Sequence, residues 1–286
     1  MTYELSEAGF RDEAGACQRS IRTELIADPL ELEKQHESLD EYVATHEGGG
    51  RSGAVEALMR QFAGFVALRC LANEGARERS GRRPLLLDVG CGIGREVPPY
   101  ARELQRALTY VGLDPFERNF ERDYLFICGV FQGLHRHLRT KLDYLLFSTS
   151  LDHLPDLEGV KREIHATLAP SGLAFFWVGL HDPALVARQA LAEWISGLDV
   201  LDLPQTLSTL ARYPRRISRL YRVMRERRAK LAAGAPLDEL HFHYFTEETL
   251  DRYLRELGEV VDRFAVPLTN SVFYAIRPRP LAAEAP

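Results

Sequence analysis

The residues with the clearest chemical potential sit in one stretch, Leu-Leu-Leu-Asp-Val-Gly-Cys-Gly-Ile-Gly-Arg, at positions 85–95. An apolar run ends at Asp88, and Gly90, Gly92 and Gly94 follow at alternate positions. Such a run reads as a buried parallel strand, and the glycines as a sharp turn into a helix that starts near Arg95 with Pro98 in its first turns. Glycines let the backbone approach a ligand closely, and a helix start adds unpaired amides. The dinucleotide fingerprint differs, because its third glycine falls one position later. Asp88 suits a ligand carrying positive charge, where a pyrophosphate would be repelled.

Further candidates follow at the ends of later apolar runs. Asp114, before Pro115, could accept hydrogen bonds from a pair of hydroxyls or simply open a turn. The run 124–128 leads to Val130, Phe131 and Gln132. After the run 142–147 comes Ser-Thr-Ser-Leu-Asp-His-Leu-Pro-Asp, from Ser148 to Asp156. His153 there is a candidate general base toward a hydroxyl, a hydrogen-bonding group for a substrate, or an ordering residue of the loop. In His241-Phe242-His243-Tyr244-Phe245, alternation puts both histidines on one face. A metal pair would need a further ligand, and none is close in sequence, so no metal is expected. Substrate contact is the preferred reading of His241 and His243, ahead of surface histidines.

The elements that must position these residues alternate regularly. Residues 1–53 form an acid-rich extension, partly helical and loose, broken by Gly48, Gly49 and Gly50. Ser52 is the expected N-cap of a helix whose Val55, Leu58, Met59, Phe62, Phe65 and Val66 form one apolar face. Strands are expected at 85–89, 108–113, 124–128, 142–147 and 173–178, the last after a turn at Pro170-Ser171-Gly172. Asp156 caps a helix with Leu157, Val160, Ile164 and Leu168 on one stripe. Thr246 caps another, stopped by Gly258, and strands 260–264 and 271–276 close the chain. The link between those two is too short for a crossover, so they pair antiparallel. This order predicts a parallel sheet covered by helices on both faces.

With its apolar-apolar-Asp-x-Gly-x-Gly-x-Gly motif, the stretch resembles the class I S-adenosylmethionine-dependent methyltransferases, of the type 11-like small-molecule kind. The resemblance runs from about residue 54 to 277. It implies an α/β, doubly wound, seven-stranded, mostly parallel Rossmann-like sheet with an antiparallel last strand, preceded by N-terminal helices and carrying a helical insert after the fifth strand. It also implies S-adenosyl-L-methionine as cofactor, held by Asp88, Gly90, Cys91, Gly92, Asp114, Pro115, Val130, Phe131 and Ser148. Asp114 would take both ribose hydroxyls. Val130 stands where relatives usually place an acid for the adenine amino group. The run Ser-Leu-Asp-His-Leu-x-Asp, at 150–156, resembles a subgroup tied to glycan and natural-product pathways, with His153 facing the methyl and with His241 and His243 near the site mouth.

Expected divisions are therefore 1–53, a cofactor-binding core over 54–180, a helical insert over 181–240, a return to the core over 241–277, and a disordered tail over 278–286. Within the insert, a helix at 215–231 carries many arginines and an apolar stripe. It reads first as a solvated basic face, then as a lid or a homodimer contact, and last as a nucleic-acid surface. The net charge of −5 on 286 residues indicates no general affinity for polyanions. Four scattered cysteines, no long apolar run and no signal-peptide pattern lead us to expect a cytoplasmic protein outside any membrane. The leading expectation is methyl transfer to a small acceptor, on oxygen of a sugar or secondary metabolite. Alternatives are a nicotinamide-dependent oxidoreductase and a cofactor-binding partner subunit without turnover.

Overall fold

The computed structural model describes residues 1–25, 53–73, 82–92, 94–116, 121–182 and 241–279, with isolated positions between 185 and 233. The chain opens with four short strands, β1 (Glu4–Ser6), β2 (Gly9–Arg11), β3 (Cys17–Gln18) and β4 (Ser20–Arg22). The expectation of helices or a loose start is thus corrected for the first part of the extension. Its apolar anchors Leu5, Phe10 and Ile21 are buried, but each strand is too short to show a period in sequence. The remainder of the extension, including Ser52, lies outside the described residues, as do the helix expected after Asp182 and most of the one expected at 215–231.

Helix α1 (Gly53–Ala72) then leads toward β5 (Leu85–Val89), in which every residue is buried. A strand buried on both faces must have neighbours on both edges and helices above and below. Beside β5 lie β6 (Thr109–Asp114) and β8 (Leu142–Ser148), both parallel to it. Strand β7 (Leu125–Cys128) pairs with β6, and β9 (Leu168–Gly179) with β8. Strand β11 (Ser271–Pro278) runs antiparallel between β9 and β10 (Gly258–Ala265). The sheet is eight-stranded rather than seven-stranded, in the order β10-β11-β9-β8-β5-β6-β7-β4, because β4 adds in parallel to the outer edge of β7. The switch in strand order falls between β5 and β8, so a ligand crevice is due at their carboxyl ends.

Alternation along each strand divides the core in two. Leu85, Leu87, Val89, Leu145 and Phe147 pack with Val160 and Ile164 of α3 (Leu157–Thr167) and with Leu250 and Leu254 of α4 (Glu247–Leu257). Leu86, Tyr110, Tyr144, Phe175 and Phe273 pack on the other face with Phe62, Phe65 and Val66 of α1. Asp156 caps α3 by accepting the Gly159 amide, and Thr246 and Thr249 form a reciprocal cap on α4. Two expectations shift. Strand β9 begins directly at Leu168, and Pro170-Ser171-Gly172 is an irregularity in its pairing with β8 rather than a separate turn. The tail is ordered through Pro278 and Arg279, and 280–286 lie outside the described residues.

The seam between β4 and β7 is tight at Gly129. The Thr23 amide donates to the Cys128 carbonyl at 3.0 Å, and the Val130 amide to the Glu24 carbonyl at 2.8 Å. A Cβ at Gly129 would stand 1.9 Å from Thr23 Oγ1 and 3.0 Å from the Glu24 carbonyl oxygen. With the backbone pinned on both sides, the added methyl has nowhere to go. Gly129→Ala should destabilise the protein by about 1–3 kcal/mol. In urea unfolding followed by circular dichroism, an unchanged midpoint would show that β4 is not held as described.

Candidate active site

The glycine-rich loop is set by what surrounds the end of β5. Gly90 and Gly92 both have positive φ, +75° and +79°, a conformation that disfavours any side chain. A Cβ at Gly90 would lie 2.6 Å from the Ser150 Cβ, whereas one at Gly92 would meet nothing within 4 Å. Gly92 therefore borders open space. The Gly90 and Cys91 amides both donate to the Leu113 carbonyl, at 2.8 and 3.2 Å, which folds the loop back over β6. The helix expected near Arg95 begins only at Pro99 and spans four residues, α2 (Pro99–Arg102). Consecutive prolines explain the delay, since the residue before a proline is steered away from helical dihedrals.

Asp88 is fully buried beneath this loop. Its Oδ2 accepts the Tyr100 hydroxyl at 2.8 Å and the Tyr110 hydroxyl at 2.6 Å. Its Oδ1 has no hydrogen-bond partner. Burial pushes its carboxyl up to about 7; the two tyrosines oppose this and the charge of Asp114 adds to it. Asp114 is also buried, and burial raises it to about 6. It accepts the Gly92 amide at 2.9 Å on Oδ2 and the Phe116 amide at 3.1 Å on Oδ1. The turn role and the site position thus coincide in one residue, because the Phe116 contact is an Asx turn and the Gly92 contact shapes the loop. Each oxygen keeps a lone pair for a further donor.

The other expected cofactor residues separate on inspection. The Cys91 thiol turns inward toward Gly112 and Tyr124, and burial with two nearby carboxylates pushes it well above the ordinary thiol range, so only its backbone borders the loop. Phe131 is withdrawn wholly into the core, its ring edge-on to Phe147 at 5.5 Å. The expectation that its face packs a ligand is corrected accordingly. Val130 is half-buried at the end of β7. Pro115 accepts the Cys128 thiol through its carbonyl at 3.7 Å. Ser148 is buried beside the Tyr100 hydroxyl. The next residue, Thr149, is exposed with φ +58°, a left-handed backbone rare for a β-branched residue.

Beyond Thr149 the chain passes Ser150, which donates to the Val89 carbonyl, and enters a 3-10 turn at Leu151–His153. There the fold assembles a cluster from three places. The buried Asp152 carboxylate has His153 Nε2 at 3.7 Å, His241 Nε2 at 3.7 Å and His181 Nε2 at 3.8 Å. The His153 and His241 rings lie 4.7 Å apart, and His181 and His241 5.9 Å apart. The Asp152 carbonyl accepts the Phe242 and His243 amides, at 2.9 and 3.2 Å, which fixes the two segments together. His243 does not join its neighbour; its Nε2 stands 3.1 Å from the Pro155 carbonyl. No further ligand is close to His241 and His243 in sequence, but the fold brings Asp152 and His153 beside His241, and these three present donor atoms within 4.8 Å of one another.

Four positions of the candidate site are not singled out by the sequence: Tyr100, Tyr110, Asp152 and His181. Asp152 was visible within the 148–156 motif. His181 closes β9, so asking every strand end what it offers would have found it. The tyrosines carried no signal, because only the fold places their hydroxyls on Asp88.

A buried acid raised to about 7 has a definite consequence for stability. Its folded pKa exceeds the unfolded value, so its contribution is full below about pH 4 and is lost as pH rises through 7. Asp88→Asn removes the ionisable group while keeping its shape. In thermal unfolding without ligand it should raise Tm clearly more at pH 8 than at pH 5. An equal effect at both pH values would mean that Asp88 is not a costly buried charge.

The methyltransferase domain family matches residues 65–262, more than two thirds of the chain. No curated protein sequence matches it. Among solved structures, the chain is similar to the plantazolicin methyltransferase BamL at 10% identity and TM-score 0.48, covering 88% of this chain and 97% of that one. It is similar to a Clostridium acetobutylicum S-adenosylmethionine-dependent methyltransferase at 11% identity and TM-score 0.45, covering 85% and 99%. The magnesium protoporphyrin IX methyltransferase of Synechocystis gives 13% identity and TM-score 0.45, covering 89% and 100%. From the family match, and with the antiparallel last strand in place, the chain belongs to the methyltransferase domain family, of the class I type.

Proposed function

We propose that this protein transfers the methyl group of S-adenosylmethionine to a small-molecule acceptor, on an oxygen of a sugar or secondary metabolite. The observation that carries the reading is the pair of buried carboxylates at the ends of adjacent strands, Asp88 with an unpartnered oxygen and Asp114 bonded to the loop between them. Two such acids favour a cation and repel a pyrophosphate, which speaks against a nicotinamide cofactor. Asp88 would balance the charge of the aminocarboxypropyl arm, directly or through a water. Asp114 would accept the ribose hydroxyls, the open space over Gly92 would admit the arm, and Val130 would border the adenine.

When bound, S-adenosylmethionine supplies a methyl group already activated on a sulfonium, so the chain's task is chiefly alignment. Ser150 bridges the cofactor loop to the 3-10 turn, placing His153 and His241 beside the acceptor's approach; His243 supports the mouth through Pro155. We place the protein in the cytoplasm because its four cysteines form no disulfide with one another. Among the described residues, no helix is long and apolar enough to cross a membrane.

Cofactor binding is tested by calorimetry in buffers of different ionisation enthalpy. A cation beside Asp88 pulls its carboxyl down from about 7, so binding should release protons near pH 6.5 and none near pH 8.5, and affinity should fall as the solution is acidified. Asp114→Ala should weaken binding by about 1.5–3 kcal/mol. Binding of NAD in place of S-adenosylmethionine would replace the reading with an oxidoreductase. Tight S-adenosylmethionine binding without methylation of any compound in a labelled acceptor screen would leave a non-catalytic partner subunit. In the active protein, His153→Ala should lower kcat and leave cofactor affinity unchanged; wild-type turnover in that variant would remove His153 from the acceptor side.

A further inference from the structure

We propose that Asp152, His153 and His241 bind one divalent transition-metal ion of the zinc class, with His181 supporting the Asp152 carboxylate. The donor set comes from two separate segments, the turn after β8 and the segment before α4. These are locked together by the two amides that donate to the Asp152 carbonyl. The imidazoles and the Asp152 carboxylate are too far apart to hydrogen-bond one another. Each imidazole Nε2 stands 3.7–3.8 Å from a carboxylate oxygen, beyond the 2.7–3.2 Å at which such bonds form. Ligands at about 2.0–2.2 Å around a tetrahedral ion lie about 3.3 Å apart. The three donor atoms, within 4.8 Å of one another, would have to draw together to reach that spacing.

A second observation points the same way. His181 Nε2 is buried and has no hydrogen-bond partner, although it faces Asp152 Oδ2. If Oδ1, the oxygen beside His153, takes the ion, the His181 ring can close on Oδ2, which it shares with His241, and fix the carboxylate. Two imidazoles and one carboxylate suit zinc, iron(II) or cobalt(II), and are a poor match for magnesium or calcium, which prefer all-oxygen shells. Three protein ligands also leave a coordination position open, as in catalytic rather than structural zinc sites.

The role of the ion, though not its binding, rests on the methyl-transfer reading. The open position would take the acceptor's hydroxyl oxygen. That oxygen gives its proton to solvent and forms a bond to the methyl carbon. The carbon–sulfur bond breaks with its electron pair left on sulfur, yielding S-adenosylhomocysteine. His153 is then a ligand rather than a proton acceptor, and a substrate with a second oxygen beside its reacting hydroxyl chelates the ion only by expanding it to five-coordinate.

The test uses the full chain stripped with EDTA and titrated with zinc chloride against a chromophoric chelator. One equivalent should bind tightly, and cobalt chloride should give the visible absorption of a bound ion. Asp152→Asn and His241→Ala should each weaken zinc by at least the roughly 10–100-fold that loss of an outer partner costs. His181→Ala should weaken it less, and His165→Ala, on the outer face of α3, not at all. Calorimetry with S-adenosylmethionine on the same variants reports folding and separates the two readings. Zinc uptake without cofactor binding would overturn methyl transfer and keep the metal. Cofactor binding in the Asp152 and His241 variants with zinc affinity equal to the parent's would overturn the metal site, as would magnesium chloride binding as tightly as zinc chloride.

Discussion

The carboxyl edge of the sheet depends on a charge held where water cannot reach it. Asp88 lies near the end of a fully buried strand, under a loop and in reach of two aromatic hydroxyls. An acid there costs stability in the absence of a ligand, and the fold meets that cost only in part. Tyr110 arrives from the neighbouring strand and Tyr100 from α2, so α2, β5 and β6 are tied through a single oxygen atom. The other oxygen is left without a donor. This is the arrangement expected when a site is completed by what it binds, and it makes ligand affinity and apo stability draw on the same group.

From that anchor the remaining parts follow by short links. Asp114 carries the order of β6 into the loop through Gly92. Ser150 carries it onward to the turn after β8, where Gly90 can only be glycine because the serine Cβ occupies the adjoining space. The histidine cluster begins two residues later. A disturbance in any one of these contacts therefore reaches both the cofactor crevice and the cluster beside it, without a long pathway between them.

Much of this was legible in the sequence because parallel strands buried on both faces leave an unbroken apolar signature. Leu85–Val89, the run at 108–113 and the run at 142–147 were readable for that reason, and Asp88 and Asp114 stood out as the polar residues ending them. What stayed hidden was either too short or too distant. Strands β1, β2 and β4 contribute one apolar anchor each and β3 none, so all four look like loop. Phe131 reads as an available aromatic until the fold turns it toward Phe147. The pairing of Asp152 with His241 joins positions nearly ninety apart, and His181 was passed over because it adjoins the insert and not an obvious motif.

The strand order carries a lesson about where this protein's structural unit ends. The matched family span, residues 65–262, contains neither β4 nor β11. Yet β4 caps the outer edge of β7, and β11 is the strand through which β9 reaches β10. A chain trimmed to the recognised span would present two raw edges, one along Leu125–Cys128 and one along the aromatic Phe175, Phe176 and Trp177. Unpaired apolar edges recruit strands from other molecules. The segments outside the shared domain thus serve as selvedges, keeping a sheet that many proteins possess from stitching itself to its neighbours.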